Sequence, residues 1–372
     1  MKTYKIFYAV LALFIIGCSK SDDNGGTPEE IGAKADYTLL VSANGLLKAE
    51  PLNATSETFT INPGKSPFTD MVMPQATFKN GSVLSTYQRT TECGGELTIY
   101  DFSDHSSSKV EVFGDLEACS LTVNGIAHHD TSFFIAYSLI TDTRTDYFVR
   151  VLESSGSSFV DVSINKKPIQ MVVAKNRLFV LTKDEEVTLE NGLIVMDLKS
   201  NGLIFENNLG LDVRKMLVNN EGNLIISYEE LHTVLDASTF GQKYVNYQSG
   251  LEPKFSNANT TNFDGSGKLY YERPPTGESA HANIPAIYDF GTNTAFLYIY
   301  ENFLTQAQIE FELEIGDTTM VCYDENSGLM LIGYKKAGST TKGGVLRVKP
   351  VPDPEFVDNI NVDGIPYDIF VK

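Results

Sequence analysis

The chain has 372 residues, of which 48 are acidic and 29 basic, so its formal net charge is −19 at pH 7. With 42% hydrophobic and 21% charged residues it has the composition of a folded globular protein, which excludes wholesale disorder and a coiled coil. A surface this acidic also argues against binding to nucleic acid or to an anionic membrane, because both need a basic face.

The first 17 residues have the pattern of a signal peptide. Lys2 and Lys5 precede an apolar run at residues 6–16, which is shorter than the roughly 20 residues of a membrane-spanning helix. Gly17 directly before Cys18 resembles a bacterial lipobox, and the resemblance implies cleavage before Cys18 and lipidation of its thiol. An uncut leader with an incidental cysteine is the alternative. No later segment of the sequence is long and apolar enough to span a membrane.

Residues 18–35 form a polar segment that is predicted to be a flexible tether. The segment contains Gly, Pro and several acidic residues and cannot bury a core. Its acidic residues Asp22 and Asp23, close behind Cys18, resemble the export signal of surface lipoproteins in Bacteroidetes. The resemblance implies a lipoprotein of the outer membrane that faces the cell exterior, and a plain solvated linker is the alternative.

From residue 36 to residue 372 the sequence repeats a unit of four short strands. The third repeat shows the unit best: apolar strands at 169–174 and 177–181 flank a turn at Lys175-Asn176, and strands at 193–197 and 203–206 follow after a loop. The turn between the first and second strands of the unit recurs along the chain, from Asn80-Gly81 to a last copy at residues 324–328. The average spacing of these turns is roughly 49 residues, which is typical of propeller blades.

The last repeat is split between the two ends of the chain. Residues 364–371 are predicted to be an inner strand, and residues 37–41, 46–49 and 57–61 are predicted to be the three strands that complete its blade. Joining these segments closes a ring without exposed edges. The sequence therefore predicts an all-β, seven-bladed β-propeller of four-stranded antiparallel blades, with six or eight blades as alternatives. The pattern resembles the broad family of seven-bladed propellers with YncE-like repeats.

We call one face of the predicted ring the loop face. It carries the connections between blades and the loops between second and third strands, at residues 89–95, 140–146, 183–191, 229–232, 274–283 and 335–344. The opposite face, with the turns between first and second strands, is the turn face. Long polar loops on a rigid scaffold often carry binding residues.

From this placement we predict a site on the loop face that binds a small anionic ligand. It is formed by Arg89, Arg144, Arg273, His281 and Lys336. Acidic residues lie among these cations, so a solvated surface of mixed charge is the alternative.

The remaining candidates for chemistry point to structural roles. Cys93 and Cys119 both fall on the loop face near the boundary of blades one and two, and a disulfide between them is predicted. Cys322 is predicted to be a buried apolar filler. His128-His129-Asp130 and Asp324-Glu325-Asn326 occupy turn positions of the repeat, so neither is predicted to bind a metal. The sequence predicts no catalytic residue and no cofactor.

A resemblance of architecture supplies the expected function. Lipid-anchored propellers of Bacteroidetes include proteins that pass cobalamin or ferric siderophores to TonB-dependent transporters. The resemblance implies a non-enzymatic protein with two partners, a small ligand and a TonB-dependent transporter of the outer membrane. An interaction scaffold of the cell envelope is one alternative, and an enzyme acting on glycans or lactones is another.

Overall fold

The computed structural model describes residues 35–55, 58–62, 66–90, 94–116, 120–153 and 158–372. The segment from Lys34 to Lys372 forms one compact unit. Several predictions fall outside the described residues: the signal peptide, the lipidation of Cys18, all of the tether at residues 18–35 except its last residue, and the disulfide between Cys93 and Cys119.

The described residues form 29 β-strands. The strands of the first half are β1 (Ala35–Ala43), β2 (Leu46–Ala54), β3 (Phe59–Ile61), β4 (Asp70–Val72), β5 (Ala76–Asn80), β6 (Val83–Arg89), β7 (Gly95–Asp101), β8 (Ser106–Val112), β9 (Leu121–His129), β10 (Ser132–Ile140), β11 (Thr145–Glu153), β12 (Phe159–Ile164), β13 (Lys167–Ala174), β14 (Arg177–Lys183), β15 (Asn191–Asp197) and β16 (Gly202–Gly210). Those of the second half are β17 (Lys215–Val218), β18 (Leu224–Ser227), β19 (Leu231–Leu235), β20 (Gln242–Asn246), β21 (Thr261–Phe263), β22 (Lys268–Arg273), β23 (Ile284–Asp289), β24 (Thr294–Leu297), β25 (Ile315–Asp324), β26 (Leu329–Lys336), β27 (Gly343–Lys349), β28 (Glu355–Val362) and β29 (Ile365–Val371).

These strands form seven antiparallel sheets, which are the blades of a propeller. Blades one to six take four consecutive strands each: β5–β8, β9–β12, β13–β16, β17–β20, β21–β24 and β25–β28. Blade seven has the order β29-β1-β2-β3, and β4 is added beside β2. The predicted all-β, seven-bladed propeller with a split last blade is therefore confirmed.

The burial of each strand depends on its position in the blade, from the inner strand to the outer one. The second strand β14 is buried along nearly its whole length, because neighbouring blades cover both of its faces, and it therefore has a continuous apolar sequence. The outer strand β12 is mostly exposed. Clusters of buried side chains fill all seven interfaces between successive blades, including the interface of blade seven with blade one. The core is thus a closed series of interfaces.

The C-terminal strand closes the ring. β29 pairs with β1 from Tyr37↔Val371 to Ser42↔Ile365. On its other side, Lys79 of blade one donates hydrogen bonds of 2.7 Å to Asp368 Oδ1 and to the Ile369 carbonyl oxygen. The Phe370 ring stacks on Phe102 with centroids 4.1 Å apart. Closure therefore rests on a strand ladder, an ion pair and apolar packing.

Hydrogen bonds between neighbouring turns hold the turn face together. The turns are tight, and Asn176 adopts a positive φ of 58°. Side chains or backbone groups of one turn bond to the next blade in the pairs His129–Asn176, Lys175–Asn223, Asn220–Asp264, Gly265–Glu325 and Asn326–Lys372. The repeated polar turn is therefore a structural connector as well as a chain reversal.

Two buried arginines occupy third strands and bind carboxylates of fourth strands. Arg150 on β11 makes a two-bond contact with Asp161, at 2.8 and 2.7 Å, and a second one with Asp115 of the preceding connection, at 2.6 and 2.8 Å. Arg347 on β27 contacts Asp358 in the same way and also donates to the Thr55 carbonyl oxygen at 2.7 Å. Both guanidinium groups thus link a blade to the segment before it or after it.

Two local features were not predicted from the sequence. The short β4 pairs with residues 46–48 of β2 and extends blade seven near the loop face. The connection between blades five and six contains a short 3₁₀ helix, Tyr300–Asn302, and a π-helical turn, Gln308–Glu312. No helix in the described ranges has the length and apolar character needed to cross a membrane.

Candidate functional site

Arg89 and Arg144 of the predicted site lie in blades one and two. Arg89 ends β6, and its Nη1 donates to the carbonyl oxygen of Leu121 in the next blade at 3.3 Å. Arg144 lies in the loop after β10, where 74% of its side chain is exposed and its Nε lies 2.8 Å from Asp146 Oδ1. Arg144 is therefore accessible to a ligand, whereas Arg89 is engaged between two blades.

Arg273 is buried, although the sequence places it at the start of a long loop. Only 1% of the residue is exposed. Its Nε donates to the Pro274 carbonyl oxygen at 2.9 Å and its Nη1 to the Glu252 carbonyl oxygen at 2.7 Å. The remaining Nη2 is buried without a hydrogen-bond partner. Arg273 therefore holds the connection between blades four and five against blade five.

His281 and Lys336 both contact residues 314–316, where the connection from blade five ends and β25 begins. His281 is buried, with Nδ1 3.2 Å from the Gly316 carbonyl oxygen and its ring 4.9 Å from that of Tyr300. Lys336 Nζ lies 3.0 Å from Glu314 Oε2. The structure thus links these two predicted residues through a shared segment. Arg89, Arg144 and Arg273 make their contacts elsewhere on the ring.

A buried carboxyl, Glu272, and a half-buried lysine, Lys215, lie at the boundary of blades four and five. Glu272 accepts hydrogen bonds from the backbone N–H groups of Asn259 and Thr260 and, at 2.9 Å, from the Thr260 hydroxyl. Burial raises the pKa of Glu272 to about 7. Lys215 donates to the Ala258 carbonyl oxygen at 2.5 Å, and burial lowers its pKa, while the charge of Glu272 acts in the opposite direction. Neither residue was predicted as a site residue, although the position of Glu272 after two tyrosines in an apolar strand was a signal of burial.

A serine and a histidine form a close pair between blades one and two. Ser85 Oγ lies 2.7 Å from His128 Nδ1, a distance typical of a nucleophile and its base. Both side chains are buried, and burial lowers the pKa of His128 to about 4. The ring packs edge-on against Phe78. Because neither side chain reaches the surface, this pair has a structural role.

The histidine and acidic turns do not form a metal site. Within the part of the chain that the structure describes, no group of three or more His, Cys, Asp or Glu side chains could hold a metal ion. His129 and Asp130 lie at the turn after β9, as the sequence predicts, and His129 Nε2 contacts Asn176. Cys322 is buried on β25, and burial raises the pKa of its thiol to about 12.

A groove opens between blades three and four on the loop face, and we call it the blade 3–4 groove. Its volume is about 570 Å³. It combines carboxylates, amides, tyrosines and leucines from the two outer strands and the loops between them. The lining residues are Asn207, Asn208, Leu209, Leu211, Asp212, Tyr228, Glu229, Glu230, Leu231, Gln242 and Tyr244.

Several polar groups in this groove are available to a ligand. The side chains of Asn207 and Glu230 have no hydrogen-bond partner among the described residues, and Tyr244 is 65% exposed. Arg214 lies 2.8 Å from Glu229, so one carboxylate of the groove is already paired. The groove can therefore offer an aromatic ring, an amide and a carboxylate to a ligand. None of the five residues predicted from loop placement lines it.

Comparisons with known proteins show the fold of this chain. A periplasmic gluconolactonase of Pseudomonas aeruginosa is similar with a TM-score of 0.56 and 10% identity, over 91% of this chain and 99% of that one. A candidate 6-phosphogluconolactonase of Bacteroides fragilis is similar with a TM-score of 0.52 and 10% identity, over 93% and 99%. A hypothetical selenium-binding protein of Sulfolobus tokodaii gives a TM-score of 0.50 and 9% identity, over 91% and 93%. No protein-family model and no curated protein sequence matches the chain. The likeness is one of fold.

Proposed function

We propose that this protein is a ligand-binding protein of the bacterial cell envelope, and that its blade 3–4 groove receives the ligand. The observation that carries the proposal is the groove itself. Its volume of about 570 Å³ lies within the range of roughly 300–1,000 Å³ that small-molecule sites occupy. Its polar groups are not all used by the fold, and its walls belong to two rigid blades.

The charge of the groove bears on the choice of ligand. Three carboxylates line it, at Asp212, Glu229 and Glu230, and the neighbouring cation, Arg214, is already paired. A ferric catecholate siderophore is anionic and would be repelled. A corrinoid presents uncharged amides along its rim, and these can both donate to carboxylates and pair with side-chain amides. Of the two ligands that the sequence resemblance implies, we therefore propose the corrinoid, which is larger than the groove and would enter it with its amide-bearing rim only.

The proposed location rests on the N-terminal sequence. Lipidation at Cys18 would anchor the chain to the outer membrane, and Asp22 and Asp23 would direct it to the cell exterior. A TonB-dependent transporter is the proposed partner. Cys18→Ala should release the protein from membranes, and replacing both aspartates should leave it anchored but protected from protease added to whole cells. Equal digestion of wild type and the aspartate variant would contradict surface export.

Titration of the purified protein with cyanocobalamin and with a ferric catecholate tests the ligand and the site together. A ligand that binds the native state raises Tm by mass action. We expect the corrinoid to raise Tm, and Tyr244→Ala to weaken its binding by about tenfold, because the exposed ring is lost. Arg144→Gln is the matched variant for the site predicted from loop placement. Binding that depends on Arg144 and not on Tyr244 would overturn the groove assignment.

A further inference from the structure

A second cavity, which we call the blade 5–6 cleft, lies between blades five and six on the side of the turn face. Its volume is about 390 Å³. The walls come from the first turn of each blade, from the strands beside those turns and from the loop after β27. The lining residues are Asp264, Gly265, Ser266, Lys268, Tyr270, Ile287, Tyr323, Glu325, Pro350 and Val351.

Two stacked tyrosines form one wall of the cleft. The rings of Tyr270 and Tyr323 lie 4.6 Å apart between centroids, with 14° between their planes. The Tyr270 hydroxyl donates to Asp264 Oδ2 at 3.2 Å, so this ring is fixed. Tyr270 and Ile287 are almost fully buried and support the wall from behind, whereas Tyr323 and Val351 are partly exposed and give the cleft its apolar surface. The electron-rich face of a tyrosine attracts an organic cation, and more strongly where water is excluded.

Two carboxylates of the cleft are held in place by backbone groups. Asp264 is 7% exposed, and its Oδ1 accepts from the N–H groups of Ser266 and Lys268 and from the Ser266 hydroxyl. Glu325 Oε1 accepts from the Gly265 N–H, which leaves Oε2 without a partner among the described residues. Burial raises the pKa of Tyr323, and the charges of Asp264, Glu325 and Asp324 raise it further. The tyrosine wall therefore faces a negative field.

One cation, Lys268, lines the cleft, and it forms no ion pair within the described ranges. Two carboxylates against one ammonium group leave the cleft with a net negative charge. An anion is therefore disfavoured. A neutral ligand could accept a hydrogen bond from Lys268 but would gain little from the charge of the carboxylates. A small organic cation gains from both carboxylates and from the aromatic wall.

We infer that the blade 5–6 cleft binds a small organic cation of the ammonium type, with Tyr270 and Tyr323 as the aromatic wall and Asp264 and Glu325 as counter-charges. This site is separate from the proposed blade 3–4 groove. It shares no lining residue with that groove and opens toward the other face of the ring. The two ligands can therefore be tested independently.

Isothermal titration calorimetry of the purified protein with choline chloride tests the inference, with sodium chloride at equal ionic strength as the reference. We expect saturable binding to the wild type. Glu325→Gln and Tyr323→Leu should each weaken it by about five- to tenfold. Lys268→Gln should strengthen it, because a like charge is removed. Glu185→Gln, which removes the same charge from the loop face of blade three, should leave binding unchanged.

Each outcome separates this inference from its competitors. No saturable heat beyond that of sodium chloride would overturn it. So would equal losses in the Glu325 and Glu185 variants, since general electrostatics would then explain the binding. Weaker choline binding by Lys268→Gln would contradict the inference, because removing a positive charge from a cation site should strengthen binding. Unchanged choline binding by Tyr244→Ala would confirm that the groove is not involved, and melting curves of every variant would verify that the fold is intact.

Discussion

Buried arginines are the residues on which single substitutions should act most strongly. The Arg150 side chain is 1% exposed and forms ion pairs with both Asp115 and Asp161. It also lies 4.0 Å from the centroid of the Phe159 ring. Its neighbour in sequence, Arg144, has the same side chain but is 74% exposed. Comparing the same substitution at these two arginines therefore shows how much of its effect on stability comes from burial.

We expect Arg150→Gln to lower the free energy of unfolding by about 3–5 kcal/mol, because it leaves two carboxylates facing each other without their partner. Arg144→Gln should change it by less than about 0.5 kcal/mol. Urea unfolding of both variants measures the difference. Similar losses in the two would show that the Arg150 ion pairs do not stabilise the native state.

Glu272 should make stability depend on pH in an identifiable way. Its pKa is about 7 in the folded protein, against 4.5 for a solvated glutamate side chain, so the unfolded chain releases its proton first as the pH rises. Stability is therefore lost between pH 4.5 and about 7, by up to about 1.4 kcal/mol per pH unit. Glu272→Gln should abolish this loss and be more stable than wild type at pH 8, while exposed Glu278→Gln should not. Parallel stability–pH curves for wild type and Glu272→Gln would contradict this cause.

Individual residues were the least predictable level from sequence. The loop positions of Arg273 and His281 followed from the repeat, but their burial did not. It depends on the carbonyl groups of Glu252, in the connection between blades four and five, and of Gly316, at the start of β25, and the sequence does not specify how these segments pack. The same holds for the groove, because its lining brings together two strands and two loops that meet only when neighbouring blades pack.

At the scale of single strands, glycines allow tyrosines to lie flat across a blade. In blade six a Cβ atom on Gly344 would lie 2.5 Å from the Tyr334 hydroxyl oxygen, and in blade one a Cβ on Gly95 would lie 2.5 Å from the same atom of Tyr87. Both pairs join the second strand of a blade to the third. The absence of a side chain on the third strand is what makes room for the ring.

Gly344→Ala should therefore destabilise the protein by about 1–3 kcal/mol through overpacking. Gly125→Ala is the control, because it also lies in a strand and its Cβ would meet no atom within 4 Å. Thermal unfolding compares the two. If Gly344→Ala is as stable as Gly125→Ala, then both the Tyr334 ring and the Ile360 carbonyl oxygen, which lies 2.7 Å from the same Cβ position, can move aside without cost.

Most strands were predictable because their signal is local. The turn at Lys175-Asn176 and the alternation around it define β13 and β14 without reference to the rest of the chain. β4 was missed because three residues carry too little pattern, and its pairing partner on β2 lies more than 20 residues away in sequence. The existence of most strands therefore followed from the sequence, whereas the pairing of β4 with β2 did not.

At the scale of the whole molecule, closure of the ring depends on nine C-terminal residues. Deleting residues 364–372 removes β29, leaves β1 with an open edge and takes Ile369 and Phe370 from two core clusters. Tm should fall by well over 10 °C, far more than for an ordinary terminal truncation. A synthetic peptide of the deleted sequence should restore part of the loss by mass action. A truncated protein that melts within a few degrees of wild type would show that closure contributes little.

Ring closure was nevertheless the global feature that the sequence predicted best. The C-terminal segment looked like an inner strand without partners, and the N-terminal strands lacked an inner strand, so each end supplied what the other needed. The number of blades then followed from the spacing of the turns. The ligand sites could not be predicted in this way, because side chains from neighbouring blades form them and no repeat pattern encodes those side chains.

Because Tyr37 and Val371 lie opposite each other on the paired strands β1 and β29, the beginning and the end of the described chain meet on one blade. A gene in which these ends are joined by a short linker and reopened between the exposed turn residues Lys199 and Ser200 would encode the same contacts in a different order. Circular permutation should thus preserve the propeller. The order of the coding sequence then decides which blade is attached to the N-terminal segment. An engineered permutant could carry that segment on another blade.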